Sequence, residues 1–212
     1  MSAYQAVLFD YGGVFTTSPF AAVGTRGVEL GADPELLVRT IFGPYDEDTD
    51  HPWHRLERGE IALSVAVEEI VEIGNGHGLD ANPFKFFAAM GKGGINQTVV
   101  ACARDLRAGG IRTALVTNNA AEFREGWRNS IPVEELFDVI VDSSEEGVRK
   151  PDPRIFERTL ERLGVEPARS VFLDDYHGNV SAAESLGIKG VLVGSDQAVA
   201  VAELHALLGR AS

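Results

Sequence analysis

Near the start of the chain, a short apolar run ends in a carboxylate and two glycines: residues 4–13 read YQAVLFDYGG. A short, mostly apolar run is typical of a strand that is buried on both faces of a parallel sheet. Four similar runs follow, at residues 111–116, 137–141, 170–173 and 190–193. Helical patterns lie between the later runs, so the sequence predicts an α/β fold, a doubly wound parallel sheet with helices on both faces.

Local signals mark the ends of the predicted helices. Asp152 and Pro153 form a cap followed by a proline at the first helical position, and the apolar stripe after them stops at Gly164. The other helices of the sheet region are predicted over residues 96–108, 179–186 and 197–208.

A long segment with little strand signal, residues 15–91, separates the first strand from the second. Three cap-and-proline pairs begin helices in it, and a bundle of about four helices is the natural interpretation. These pairs are Ser18-Pro19, Asp33-Pro34 and Asn82-Pro83. We expect residues 1–14 and 92–212 to form a Rossmann-like core and residues 15–91 to form a helical cap. The glycines at 91–94, with Lys92 between them, are the predicted hinge.

The composition of the 212-residue chain narrows the classes of function. A net charge of −13 argues against nucleic acid and anionic membrane as partners, because both require clustered Lys and Arg. No apolar run in the sequence approaches the roughly 20 residues of a membrane span. The single cysteine, Cys102, excludes an internal disulfide framework and is typical of a reducing cytosol. We expect a cytoplasmic protein that acts on a small molecule. The sequence is compatible with a homodimer and does not decide the oligomeric state.

Polar side chains stand where the predicted strands end. Asp10, Thr117 and Asp174 each end a strand, and Lys150 follows a strand through a short loop. Because ligands bind outside the carboxyl ends of the strands in an open α/β sheet, we expect these side chains to converge. Asp174 and Asp175 are adjacent carboxylates that repel one another unless a cation holds them. The pattern therefore predicts a site at this edge of the sheet.

The residue types at this edge are those of phosphoryl transfer. Asp10 is the expected nucleophile, which would form an aspartyl-phosphate. Mg²⁺ prefers oxygen ligands and keeps several waters, so few protein groups suffice to hold it. The predicted ligands are Asp10, Asp174 and the backbone carbonyl of Gly12, with Asp175 orienting the metal shell from behind.

A phosphate group in so acidic a chain requires local positive charge and hydrogen-bond donors. Lys150 is expected to neutralise charge on both the nucleophile and the phosphate. Thr117 and the backbone N–H groups around Gly12, Gly13 and Asn118 are expected to donate to phosphoryl oxygens. Asp10, Thr117 and Lys150 are thus the predicted catalytic residues.

These residues occur in the order of the four motifs of the haloacid dehalogenase (HAD) superfamily: Asp10, Thr117, Lys150 and the pair Asp174-Asp175. The chain resembles subfamily I of this superfamily, which inserts a helical cap between the first and second motifs. It looks most like the phosphatase-like N-terminal domain of soluble epoxide hydrolases. The resemblance implies a Mg²⁺-dependent hydrolase of a small phosphate ester.

The first motif departs from the family pattern D-x-D, because the third position is Gly12. In phosphatases of the family the second Asp protonates the leaving group and later activates water, which glycine cannot do. General acid–base help is worth about 10²–10⁴-fold in rate. Substrates with good leaving groups are predicted to suffer least from its loss.

Two alternatives to a phosphatase stay open. One is a 2-haloacid dehalogenase-type hydrolase, which acts on carbon without a metal. Such enzymes usually carry an aromatic residue where Gly12 stands and an Arg in the following loop, whereas the first Arg here is Arg26. The other is a phosphate- or metabolite-binding protein with impaired catalysis. A two-component receiver is disfavoured, because in receivers the acid pair precedes the phosphorylated Asp.

Overall fold

A five-stranded parallel sheet lies at the centre of the computed structural model, which describes residues 3–86 and 94–210. Its spatial order is β3-β2-β1-β4-β5. The strands are β1 (Ala6–Phe9), β2 (Arg112–Thr117), β3 (Val139–Asp142), β4 (Ser170–Asp174) and β5 (Lys189–Leu192). All five predicted strands and the doubly wound parallel arrangement are confirmed.

The described residues form α-helices in the following chain order. These are α1 (Pro19–Glu29), α2 (Pro34–Phe42), α3 (Pro52–Glu57), α4 (Leu63–Gly76), α5 (Gln97–Ala108), α6 (Arg124–Ser130), α7 (Val133–Leu136), α8 (Ser143–Glu146), α9 (Pro153–Leu163), α10 (His177–Ser185) and α11 (Gln197–Leu207). Residues 84–86 are also helical, after the predicted start at Asn82-Pro83.

Both faces of the sheet are buried, because successive strand side chains point to opposite sides. Val7 and Phe9 face a cluster that includes Leu106 of α5 and Leu204 of α11. The intervening residues of β1 face a second cluster, formed mainly with α9 and α10. Its members include Ala6, Leu8, Val116, Ile155, Phe156, Phe172 and Ala183. The near-continuous apolar composition of the strands follows from this two-sided burial.

Helix ends agree with the capping signals in the sequence. The side chain of Asp152 accepts a hydrogen bond from the backbone of Arg154, and Gly164 ends α9 in the left-handed conformation with φ of 65°. Asn96 caps α5 by accepting from two backbone N–H groups. Local sequence therefore determines where these helices begin and end.

The segment between β1 and β2 is helical, as expected, and has its own apolar core. Its buried residues include Val23, Leu37, Ile41, Leu56 and Ile70. One helix start was not predicted: α3 begins at Pro52, after His51, whose ring accepts from the backbone of Trp53. The cap limits at 15 and 91 stay a prediction, and of the predicted hinge at 91–94 all but Gly94 lies outside the described residues. Among the described residues, no helix is long and apolar enough to cross a membrane.

Candidate active site

Three of the predicted site residues meet because β1 lies between β2 and β4 in the sheet. Phe9 is in register with Leu115 on one side and with Leu173 on the other. Asp10, which directly follows Phe9, therefore lies at the same edge of the sheet as the ends of β2 and β4. Thr117 and Asp174 occupy those ends. The convergence expected from the strand ends is present.

Lys150 links two of these carboxylates. Its Nζ atom lies 2.7 Å from Oδ1 of Asp10 and 2.7 Å from Oδ2 of Asp174, and the side chain is fully buried. Burial acts to lower the pKa of Lys150, but the two carboxylates outweigh it and raise the pKa. The lysine is therefore an ammonium that bridges the first and fourth motifs.

A third carboxylate, that of Asp175, lies close to the two that contact Lys150. Oxygen atoms of Asp10, Asp174 and Asp175 lie within 4.8 Å of one another. Burial is the main cause that raises the pKa of Asp10 to about 8 and that of Asp175 to about 7, and the neighbouring carboxylates add to it. Among the residues that the structure describes, the buried Oδ2 atom of Asp175 has no hydrogen-bond partner. A cluster of carboxylate oxygens with an unpaired buried atom fits a hard divalent cation.

Asn179 holds Asp174 in place, a role that the sequence did not reveal. Its Nδ2 atom lies 3.1 Å and 3.2 Å from the two carboxylate oxygens of Asp174. Asn179 lies in the first turns of α10, five residues after Asp174. That spacing, a polar residue one helical turn past a strand-end acid, is the signal that could have identified it.

The two glycines after Asp10 differ in what they require. Gly13 has φ of 72°, and a Cβ atom there would lie 2.2 Å from Cγ of Asp175. At Gly12 the nearest atom to such a Cβ would be Cδ of Pro19, at 3.5 Å, which is an ordinary contact. Gly13 is therefore needed for the acidic loop to approach, whereas steric packing leaves room for a side chain at Gly12.

The side chain of Asn118 makes contacts that the sequence did not predict. Its side chain, rather than only its backbone, takes part in the site: Oδ1 accepts from the backbone N–H of Lys150 at 2.8 Å, and Nδ2 donates to the Lys150 carbonyl at 3.0 Å. Thr117 is buried beside it, and its hydroxyl lies 3.5 Å from the Asn118 carbonyl. The predicted phosphate contacts of both residues stay predictions.

A cavity of about 480 Å³ opens onto these groups. Asp10, Gly12, Thr117, Lys150 and Asp175 contribute polar atoms to its wall. Aromatic side chains form much of the remaining lining: Tyr11, Phe20, Phe42, Tyr45, Trp53, Phe123 and Trp127. Several of these come from the helical segment between β1 and β2, which therefore covers the strand ends with an apolar surface.

Beside the cavity, a buried ion pair joins the helical segment to the loop of Lys150. Arg149 is fully buried, and its Nε donates to Oε2 of Glu57 at 2.7 Å. The guanidinium carbon also lies 4.4 Å from the ring centroid of Tyr45. No local pattern in the sequence indicates this contact, because the paired residues are far apart along the chain.

With this geometry established, comparison with known proteins identifies the family. A model of the haloacid dehalogenase-like hydrolases matches residues 4–187, and the chain belongs to this family of hydrolases. It is 34% identical, over 98% of its length, to mouse acyl-CoA dehydrogenase family member 10, of which it spans 19%. It is 29% identical, also over 98% of its length, to mouse bifunctional epoxide hydrolase 2, of which it spans 39%. The resemblance of the motifs to the HAD superfamily is confirmed, and the assignment to subfamily I stays a prediction.

Other similar proteins have nearly the same length as this chain. The sesquiterpene phosphatase astK of Aspergillus oryzae is 26% identical over 98% of both chains. A HAD family enzyme from Bacteroides thetaiotaomicron, in complex with magnesium and inorganic phosphate, has a TM-score of 0.60 at 22% identity, covering 91% of this chain and 96% of its own. A dehalogenase with an intermediate complex has a TM-score of 0.69 at 18% identity over the whole of both chains. The structural likenesses confirm the fold.

Proposed function

We propose that this protein is a Mg²⁺-dependent phosphatase that forms an aspartyl-phosphate on Asp10 and accepts phosphate esters with an apolar leaving group. The observation that carries the proposal is the position of Lys150 between Asp10 and Asp174, with Asp175 beside them. A lone acid at the end of a strand has many uses. Three clustered carboxylates around a buried ammonium are costly to fold and are retained where charge must be handled.

In the first step a carboxylate oxygen of Asp10 attacks phosphorus. The bond between phosphorus and the ester oxygen breaks, and the leaving oxygen takes its proton from water, since Gly12 carries no acid. In the second step water attacks the same phosphorus and loses a proton to solvent. The phosphorus–oxygen bond to Asp10 then breaks, which releases inorganic phosphate and restores the carboxylate.

The residues present fit a magnesium ion. Asp10, Asp174 and the backbone carbonyl of Gly12 would hold it, with Asp175 supporting them. When bound, the ion supplies positive charge that offsets repulsion between the Asp10 carboxylate and the phosphate. Lys150 would contribute to the same neutralisation from the protein side, and Thr117 would donate a hydrogen bond to a phosphoryl oxygen.

The aromatic lining of the cavity supports an apolar leaving group. Phe20, Phe42 and Trp53 line the cavity, and burying a hydrocarbon or an aryl group against them would remove apolar surface from water. The similar protein that acts on sesquiterpenes is a phosphatase by name. A small sugar phosphate would leave these aromatic surfaces in contact with water.

Turnover of an activated aryl phosphate, with and without Mg²⁺, tests the proposal. We expect phosphate release that requires Mg²⁺ and that Asp10→Asn abolishes, while Asp10→Asn keeps the fold by circular dichroism. Release of halide from 2-haloacids without a metal would overturn the proposal in favour of a dehalogenase. Binding of inorganic phosphate with no turnover of any ester would overturn it in favour of a binding protein.

A further inference from the structure

The side chain of Asn118 holds both backbone groups of Lys150. It donates from Nδ2 to the Lys150 carbonyl and accepts at Oδ1 from the Lys150 N–H. These two bonds require one orientation of the amide. If its nitrogen and oxygen were exchanged, the amide oxygen would face the Lys150 carbonyl and the amide nitrogen would face the Lys150 N–H. Whatever orients the Asn118 amide therefore also positions the backbone from which the Lys150 ammonium extends.

Tyr45 supplies that orientation from the helical segment. Its hydroxyl hydrogen is committed to Oε1 of Glu57, at 2.8 Å, so its oxygen is left to accept. The Nδ2 atom of Asn118 donates to this oxygen at 3.2 Å. Burial, with the adjacent Glu57, raises the pKa of Tyr45 well above its ordinary value, so the phenol keeps its hydrogen.

Glu57 is itself fixed as an acceptor. The indole Nε1 of Trp53 donates to its Oε1 at 2.8 Å, and Arg149 donates to its Oε2 at 2.7 Å. Tyr45, Trp53 and Arg149 all donate to Glu57. The direction of each hydrogen bond in the series from Glu57 to Lys150 is therefore determined. The sequence of bonds runs from Glu57 through Tyr45 and Asn118 to the backbone of Lys150.

We propose that Tyr45 and Glu57 are positioning residues, which couple the helical segment over the site to Lys150 by orienting Asn118. When this segment packs on the sheet domain, the Asn118 amide is locked and Lys150 is held between Asp10 and Asp174. When the segment moves away, Asn118 loses its third partner and the lysine loop loosens. The kinetic test of this inference rests on the proposed phosphatase function, whereas the hydrogen bonds themselves do not depend on it.

Tyr45→Phe removes the hydroxyl and keeps the ring, and Tyr176→Phe is its matched control. The Tyr176 ring centroid lies 5.1 Å from that of Tyr45. Its hydroxyl interacts with Asp46, which with burial raises the pKa of Tyr176. With an aryl phosphate and Mg²⁺, we expect Tyr45→Phe to lower kcat about tenfold with KM within about twofold. Tyr176→Phe is expected to leave kcat within about twofold. Equal losses in both variants, or a change in KM alone, would overturn the proposal.

Glu57→Gln tests the direction of the hydrogen bonds. A glutamine that donates to Tyr45 lets the phenol donate to Asn118, which favours the opposite amide orientation and removes both bonds to Lys150. We expect a fall in kcat at least as large as that of Tyr45→Phe. A kcat unchanged by Glu57→Gln would contradict the inference.

Hydrogen exchange of the Lys150 amide, followed by NMR, gives a readout that does not depend on turnover. We expect the exchange rate to rise at least about fivefold in Tyr45→Phe and to stay at the wild-type value in Tyr176→Phe. An inactive wild-type protein with this exchange pattern would refute the phosphatase and leave the coupling standing. An active wild-type protein with unaltered exchange and kcat in Tyr45→Phe would refute the coupling.

Discussion

A Cβ atom on Gly13 would lie 2.2 Å from Cγ of Asp175, so these two residues approach as closely as a glycine allows. Gly13→Ala must either displace the acidic loop or distort its own backbone, whose φ is 72°. We expect a loss of at least about 3 kcal/mol in the free energy of unfolding, measured by urea denaturation. Gly12→Ala is the control, with a change below about 1 kcal/mol. Similar losses in both would contradict this steric account.

The room beside Gly12 allows the missing acid to be restored. Gly12→Asp is expected to raise turnover of esters with poor leaving groups by about 10²-fold and of activated aryl esters much less, because only poor leaving groups need protonation. The measurement is kcat/KM across a series of phosphate esters of graded leaving-group pKa, in wild type and variant. A uniform increase across the series would count against a missing general acid.

The crowding of Asp175 with two other carboxylates predicts that replacing it has opposite effects on stability without and with Mg²⁺. At pH 8, Asp175→Asn removes a charge from the cluster, so it is expected to raise the melting temperature of the metal-free protein. It is also expected to remove most of the stabilisation by Mg²⁺, which in the wild type should be about 5–10 °C at saturating ion. Thermal melts with Mg²⁺ and with a chelator measure both effects. A variant that melts at a lower temperature than the wild type without metal, yet is fully stabilised by Mg²⁺, would refute the assignment of Asp175 to the metal site.

The aromatic wall of the cavity is expected to select for apolar esters. Phe20 packs against Phe42 and Tyr45, with ring centroids 4.9 Å and 4.8 Å away, and lines the cavity. Phe20→Ala should lower kcat/KM about tenfold for a prenyl or long-chain alkyl phosphate. A short-chain phosphate assayed in parallel controls for damage to the catalytic groups and should change less than about twofold. Equal effects on both substrates would argue against apolar selection.

Two histidines, the buried His54 and the half-buried His51, predict acid sensitivity of the helical segment. Burial is the main cause that lowers the pKa of His51 to about 4 and that of His54 to about 3 from an ordinary 6.5, and Arg149 adds to it. Below pH 6.5 the unfolded chain binds protons that the folded chain refuses, so stability should fall as pH drops from 6.5 to 4.

For fully buried His54 the expected slope is about 1 kcal/mol for each pH unit. His54→Asn should flatten the plot of unfolding free energy against pH, whatever its effect on stability at pH 7. His77→Ala, at an exposed position, serves as the control and should keep the wild-type slope. Parallel plots for wild type and His54→Asn would rule out this origin of acid sensitivity.

The core and much of the site were predictable from local patterns. Apolar runs identify strands, and parallel strands end at a common edge, which places Asp10, Thr117 and Asp174 together without coordinates. Short helices were not predicted: α6, α7 and α8 have no more than seven residues and carry too little periodicity. The start of α3 was missed because histidine is an uncommon helix cap.

By itself, the sequence determined the α/β class, the order of the strands along the chain and the identity of the acids, hydroxyl and lysine, since these depend on local periodicity and on the rule that strand ends converge. Tertiary structure alone decided how Glu57 meets Arg149 and how Tyr45 meets Asn118, pairs separated by 92 and 73 residues. Such contacts depend on how one packed element sits against another. No local propensity encodes that placement, because the burial that stabilises each pair exists only once the helical segment lies on the sheet.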